Sequence, residues 1–150
     1  MIKRITAVAL AVGVFGSVAT AEAAIKAGVY RGQTEQGAKV SLKVLSSKKA
    51  VVKFNWEGAA FGCSNGRQGQ IPGFQTESTV KIPLSRTGRF RFSANNEEGS
   101  LEFAAVGRVS GNRAVGALQV QLRANDEGQL DPNGSVTCDS EIVEWAARRR

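Results

Sequence analysis

Any chemistry in this chain has to be carried out without histidine, because the sequence contains none. A Ser-His-Asp triad, a Cys-His pair, an HExxH metalloprotease and a zinc site of the usual kind are therefore excluded as reaction classes. The remaining carboxylates closest in sequence are Glu97, Glu98 and Glu102. A glycosidase needs two carboxyl groups fixed on either side of a cleft, whereas these three fall in a turn and on the polar face of an alternating run. No GxxxxGK[ST] loop and no strand-to-helix GxGxxG is present. Asn125, Asp126, Glu127, Asp131 and Asn133 collect oxygen donors but lack the EF-hand spacing, so a polar turn is expected there, with no metal and no cofactor.

The reactive groups that do stand out are two cysteines, Cys63 and Cys138. Their context comes from the start of the chain. Lys3 and Arg4 precede an uncharged run from Ile5 to Val18, followed by the small pair Ala21 and Ala23, which is the order of a secretory signal peptide. Residues 1–23 are read as that signal, with cleavage between Ala23 and Ala24, and 24–150 as a single secreted domain, periplasmic or extracellular, without a transmembrane segment. In an oxidising compartment, two cysteines have one possible partner each, so a Cys63–Cys138 disulfide is expected.

Three arginines lie in or just before a run that alternates with aromatic residues. Arg89 and Arg91 interleave with Phe90 and Phe92, and Arg86 precedes them in a chain whose net charge is +7. On a strand the rings face one way and the guanidinium groups the other, which gives a basic face without a stacking platform for bases. With export removing the usual nucleic-acid partners, a solvated face is the first expectation and no partner is assigned; an anionic polysaccharide, lipid head groups or an anionic envelope polymer, and no nucleic acid, are the ligands such a face could meet. A second candidate is the stretch from Ser64 to Ser78, read as the longest loop, in which Arg67, Gln68, Gln70 and Phe74 offer hydrogen bonds and a ring.

The elements that would hold these groups follow from period-two runs separated by Gly, Ser and Asn. Val40, Leu42 and Val44 share a face, as do Ala50, Val52, Phe54 and Trp56, with Val51, Lys53 and Asn55 opposite. Val80, Ile82 and Leu84 form another face, broken by Pro83. The clearest hairpin joins the run from Leu101 to Val109 to the run from Arg113 to Arg123, with Leu101, Phe103 and Ala105 packing inward beside Leu118, Val120 and Leu122. The end, VTCDSEIVEWAARRR, has a helix-like charge order but is read as a last strand interrupted near Ser140. The fold class is all-β: a single antiparallel β-sandwich, jelly-roll or immunoglobulin-like, with a β-barrel as the alternative.

The fragments GVYRGQTEQG, GRVSGNRAVGAL and C-D-S-x-x-V-x-W together resemble a scattered group of small secreted bacterial β proteins of unknown function. The resemblance implies a β-sandwich whose final strand ends at Trp145. It also implies a glycine after the C-x-S triplet, where this chain has Glu141, and it brings no activity. The functional expectation is a secreted, non-catalytic binding or envelope-associated module. A carbohydrate-binding module using Tyr30, Trp56 and Trp145, or a secreted inhibitor or small hydrolase, are the alternatives.

Overall fold

The computed structural model describes residues 23–150, and the signal-peptide reading of the chain's start otherwise lies outside the described residues. Within them are ten strands and no helix: β1 Gly28–Thr34, β2 Lys39–Val44, β3 Ala50–Cys63, β4 Gln68–Gln75, β5 Ile82–Pro83, β6 Arg89–Asn95, β7 Leu101–Ser110, β8 Arg113–Ala124, β9 Val136–Asp139 and β10 Val143–Arg149. Every strand pair is antiparallel. The path β10–β1–β2–β3–β9–β8 returns to β10, so six strands close a barrel. Strands β4 and β5 lie on the other edge of β3, and β7 then β6 extend from β8. The all-β class holds, and of the two architectures open from the sequence, this closed path is that of a barrel.

Closure depends on how the end of the chain is broken. Strands β9 and β10 share one edge of β8: Asp139 faces Gln121 and Val143 faces Leu118. Four steps along one chain thus match three along the other, so the segment is a single strand with a one-residue bulge at Ser140–Ile142. Side chains replace the missing ladder. Ser140 is buried, its Oγ accepts the Val120 N–H at 2.9 Å, and its own N–H donates to the Val120 carbonyl at 3.0 Å. Glu141 N–H donates to the Asp139 carboxylate. Glu141 itself adopts φ +56°, a left-handed conformation that costs a β-carbon-bearing residue about 1 kcal/mol and favours glycine.

The bulge sends β9 toward β3 and β10 toward β1. Contact between β3 and β9 is short, Gly62 opposite Asp139 and Cys63 opposite Cys138, and the expected disulfide joins that second pair across 75 residues of sequence. A polar link spans the gap beside it, where Gln36 Oε1 accepts the Ala60 N–H at 3.0 Å.

Inside, one cluster takes rings from β3, β6, β7 and β10. Phe54 meets Phe90, Phe103 and Trp145 at 6.3, 6.2 and 5.8 Å, and Trp56 stacks on Phe103 at 5.6 Å. Fully burying side chains of this size contributes on the order of 2–3 kcal/mol each. Tyr30 is sealed in as well, its hydroxyl shared between the Lys26 and Gly111 carbonyls at 2.7 and 2.8 Å.

The hairpin of β7 and β8 has the expected register, Leu101 opposite Leu122, Phe103 opposite Val120 and Ala105 opposite Leu118. Three expectations need correction. Val51 is fully buried and not on the outer face, because β3 carries a bulge: Asn55 faces Ser41 but Val52 faces Lys43, and Lys53 takes up the extra residue at φ +51°. Val80 is exposed and only Ile82–Pro83 pair with β3. The stretch 64–78 is no long loop, because Ser64–Asn65–Gly66–Arg67 is a tight turn and residues 68–75 form β4.

Two outcomes follow. Replacing both cysteines by alanine should cost about 4 kcal/mol, the loop-closure value for a bridge of this span, read as a lower urea midpoint. Glu141→Gly should raise stability by about 0.5–1 kcal/mol while Glu141→Ala leaves it near the parent value, checked by the same titration.

Candidate functional site

The buried aromatic Trp145 organises the surface that most deserves functional scrutiny. Across four strands, Trp145, Gly116, Gly107 and Phe90 occupy one inward-facing row. The two glycines have no side chain to lift the indole, so it lies across them and comes within 6.2 Å of Phe90. A β-carbon at Gly116 would sit 2.5 Å from the Trp145 ring and one at Gly107 2.5 Å from Phe90, closer than packed carbons approach.

Rows on either side of this one point outward. One runs Gln33, Ala146, Val115, Arg108, Arg89; the other runs Glu144, Ala117, Val106, Arg91. Between them the glycine row leaves a depression of about 810 Å³, floored by Gly107 and Gly116, walled by Val106, Val115, Leu84 and Pro83 and edged by Arg89, Arg91 and Arg108. Val106 and Val115 are 51% and 37% exposed, high for valines at the middle of a sheet. One row further along, Arg31, Arg148 and Arg113 stand side by side on β1, β10 and β8.

The basic face expected from Arg86, Arg89 and Arg91 is therefore larger than those three. Arg89 and Arg91 point outward from β6, and Arg86 is exposed in the turn before it. Arg31, Arg108, Arg113 and Arg148 join them from strands far apart in sequence. Arg89, Arg91, Arg113 and Arg148 make no ion pair among the described residues; the pair seen there is Lys39–Glu57 at 3.7 Å, at the β2 end of the row that runs through Gln33. The chain's end is not a free tail: Arg149 Nε donates to the Ala27 carbonyl and the Arg150 N–H to the Val29 carbonyl at 3.0 Å.

The second candidate group is dispersed. Arg67 lies in the turn and Gln68 and Gln70 are exposed on β4, but Phe74 is half-buried and stacks on Phe103 at 4.6 Å. Its ring is committed to the core rim. Likewise Tyr30, Trp56 and Trp145 are 0%, 1% and 3% exposed, so the three rings form no external sugar platform. Ala23 and Ala24, flanking the expected cleavage point, are exposed and lie along the β7–β8 turn, where the Ala24 carbonyl accepts the Gly111 N–H at 3.1 Å.

A polar nook of about 330 Å³ sits beside the disulfide, lined in part by Glu102, Gln121, Arg123 and Asp139. Partial burial raises the Asp139 pKa, but hydrogen bonds donated by Gln119 and Gln121 side chains and by the Glu141 N–H outweigh it and hold the carboxyl below its ordinary value. The donors explain the carboxylate as a brace for the bulge. No group of three or more acidic or cysteine side chains suited to a metal occurs among the described residues.

No family model matches the chain, and no curated protein or solved structure is detectably similar to it. The site's meaning rests on its own geometry.

Because the folded Asp139 has a depressed pKa, its contribution is complete above about pH 4 and is lost as pH falls through the lower folded value. Asp139→Asn should remove that part of the acid dependence. Urea midpoints at pH 7 and pH 3 should therefore differ less for the variant than for the parent.

Proposed function

We propose that the chain is an exported, non-catalytic binding module that docks on anionic polymers of the cell envelope through the arginine-bearing face of β1, β10, β8, β7 and β6. One observation carries this reading: six arginines from five strands share one outward face, with Glu144 and, beside it, Glu35 as the carboxylates in line with the row that ends at Arg91. Such an array produces a positive field extending about a Debye length, roughly 8–10 Å at physiological salt, and favours polyanions over any single small anion. Guanidinium groups add bidentate hydrogen bonding to carboxylate, sulfate and phosphate. Export is supported by the ordered signal features at the start of the sequence, and a disulfide suits an oxidising compartment.

Competing readings lose their specific support. A carbohydrate-binding module would want its rings outside, and an inhibitor would want a protruding loop, but the segment expected to provide it is a strand paired to β3. A hydrolase would need convergent carboxylates in a cleft; the depression at Gly107 and Gly116 is edged by arginines instead.

The test is binding of the oxidised chain 24–150 to heparin, polygalacturonate and neutral dextran across a salt series. Binding to both polyanions and not to dextran is expected, weakening steeply with salt. The quadruple variant Arg89→Gln, Arg91→Gln, Arg113→Gln, Arg148→Gln should bind at least about tenfold more weakly and with a shallower salt dependence, whereas Lys43→Gln with Lys53→Gln should change little. Equal binding by the quadruple variant would overturn the reading.

A further inference from the structure

Electrostatics alone would ask only for a flat basic face, yet this face has an apolar depression at its centre. Val106 and Val115 are the exposed walls, and the backbone of Gly107 and Gly116 is the floor, with the Trp145 and Phe90 rings filling the core directly beneath. Positions 107 and 116 direct their side chains into the core, so the outer surface over them is bare backbone, and the outward-facing Val106 and Val115 stand on either side of it. Around it stand Arg89, Arg91 and Arg108, so the apolar walls and the cationic rim belong to one site.

We propose that this groove binds an anionic lipid, the hydrocarbon chain lying between Val106 and Val115 and the phosphate headgroup held at the arginine rim. Charge complementarity selects the headgroup: three guanidinium groups edge the groove, and none of the residues that line it is acidic. The walls select the hydrocarbon, because apolar side chains exposed in a groove gain by excluding water from a chain laid against them. A purely polar polyanion would leave both valines wet. The proposal rests on the arginine face being an anion-binding surface, and it adds that the physiological anion carries a lipid tail.

The experiment is a calorimetric titration of the oxidised chain 24–150 with dodecyl phosphate below its micelle concentration, alongside inorganic phosphate, octyl phosphate and the uncharged dodecyl maltoside. Saturable 1:1 binding of dodecyl phosphate is expected, at least about tenfold tighter than octyl phosphate given roughly fourfold per buried methylene, and much tighter than either inorganic phosphate or the maltoside. Val106→Glu, an exposed position whose change should not disturb folding, should weaken dodecyl phosphate at least about tenfold while leaving the polymer binding above reduced by no more than about threefold. Circular dichroism would verify that the variant is folded, and Val115→Ser is the second variant, expected to weaken the ligand in the same direction. Equal affinity for the dodecyl and octyl compounds, or an unchanged affinity in both variants, overturns the lipid proposal. Polymer binding without dodecyl phosphate binding defeats this inference and leaves the arginine face standing, whereas failure of both defeats the two together.

Discussion

The barrel depends on one strand being able to serve two partners in turn along one of its edges. Residues 136–149 run along β8 throughout, but on the other side they must first meet β3 and then β1. A regular strand could not change neighbours that sharply. The single extra residue near Ser140 supplies the turn in direction, and three side-chain to backbone hydrogen bonds, from Ser140 and Asp139, hold the groups that the ladder releases. The first half of this strand touches β3 at only two residue pairs, which is little hydrogen bonding for a seam that closes a barrel. The Cys63–Cys138 bridge stands at that seam. Its span also means that it restricts the unfolded chain over half its length, so the weakest contact in the closed sheet coincides with the strongest constraint on the open one.

Past the bulge, the same strand carries Trp145, and the indole transmits the core's demands to the surface. A side chain of that volume lying sideways under its neighbours excludes a β-carbon at Gly116 and Gly107. Because their row faces inward, its outer side is bare backbone, which Val106 and Val115 flank. The outer groove thus follows from the alternation of β7 and β8, with one side completed by Pro83, Leu84 and Ser85 ahead of β6.

Alternation made much of this legible. The inward and outward positions of β6, β7 and β8 follow directly from period two, and the expected hairpin of β7 with β8 has the observed register. What alternation could not supply is adjacency. Arg31 and Arg148 read as isolated charges until β10 is known to lie between β1 and β8, because strand order beyond a hairpin depends on long-range closure. Period two also failed where the backbone leaves it: at Lys53, where a bulge turns Val51 inward, and along β4, where Gly58 at φ +129° opposite Pro72 switches the face between Ile71 and Phe74. The Asn65–Gly66 dipeptide was the available signal for that hairpin turn, hidden because the glycines at 69 and 73 erase the pattern that should follow it.

Arginines on a β surface also have a purely structural use, since charge on an edge strand discourages pairing with another chain. That use fits Arg89 and Arg91, which lie on β6 at the open end of the sheet. It does not fit the others. Arg31 and Arg148 belong to β1 and β10, each with a hydrogen-bonded neighbour on both sides, and Arg113 and Arg108 sit on β8 and β7, likewise enclosed. No edge exists there to protect. Arg31, Arg148 and Arg113 are moreover direct neighbours, an arrangement in which like charges repel and lower stability. Solubility would be served as well by dispersing them, with carboxylates interspersed. Edge protection thus leaves Arg31, Arg148 and Arg113 unaccounted for, and an anion bound as proposed would relieve the repulsion among them.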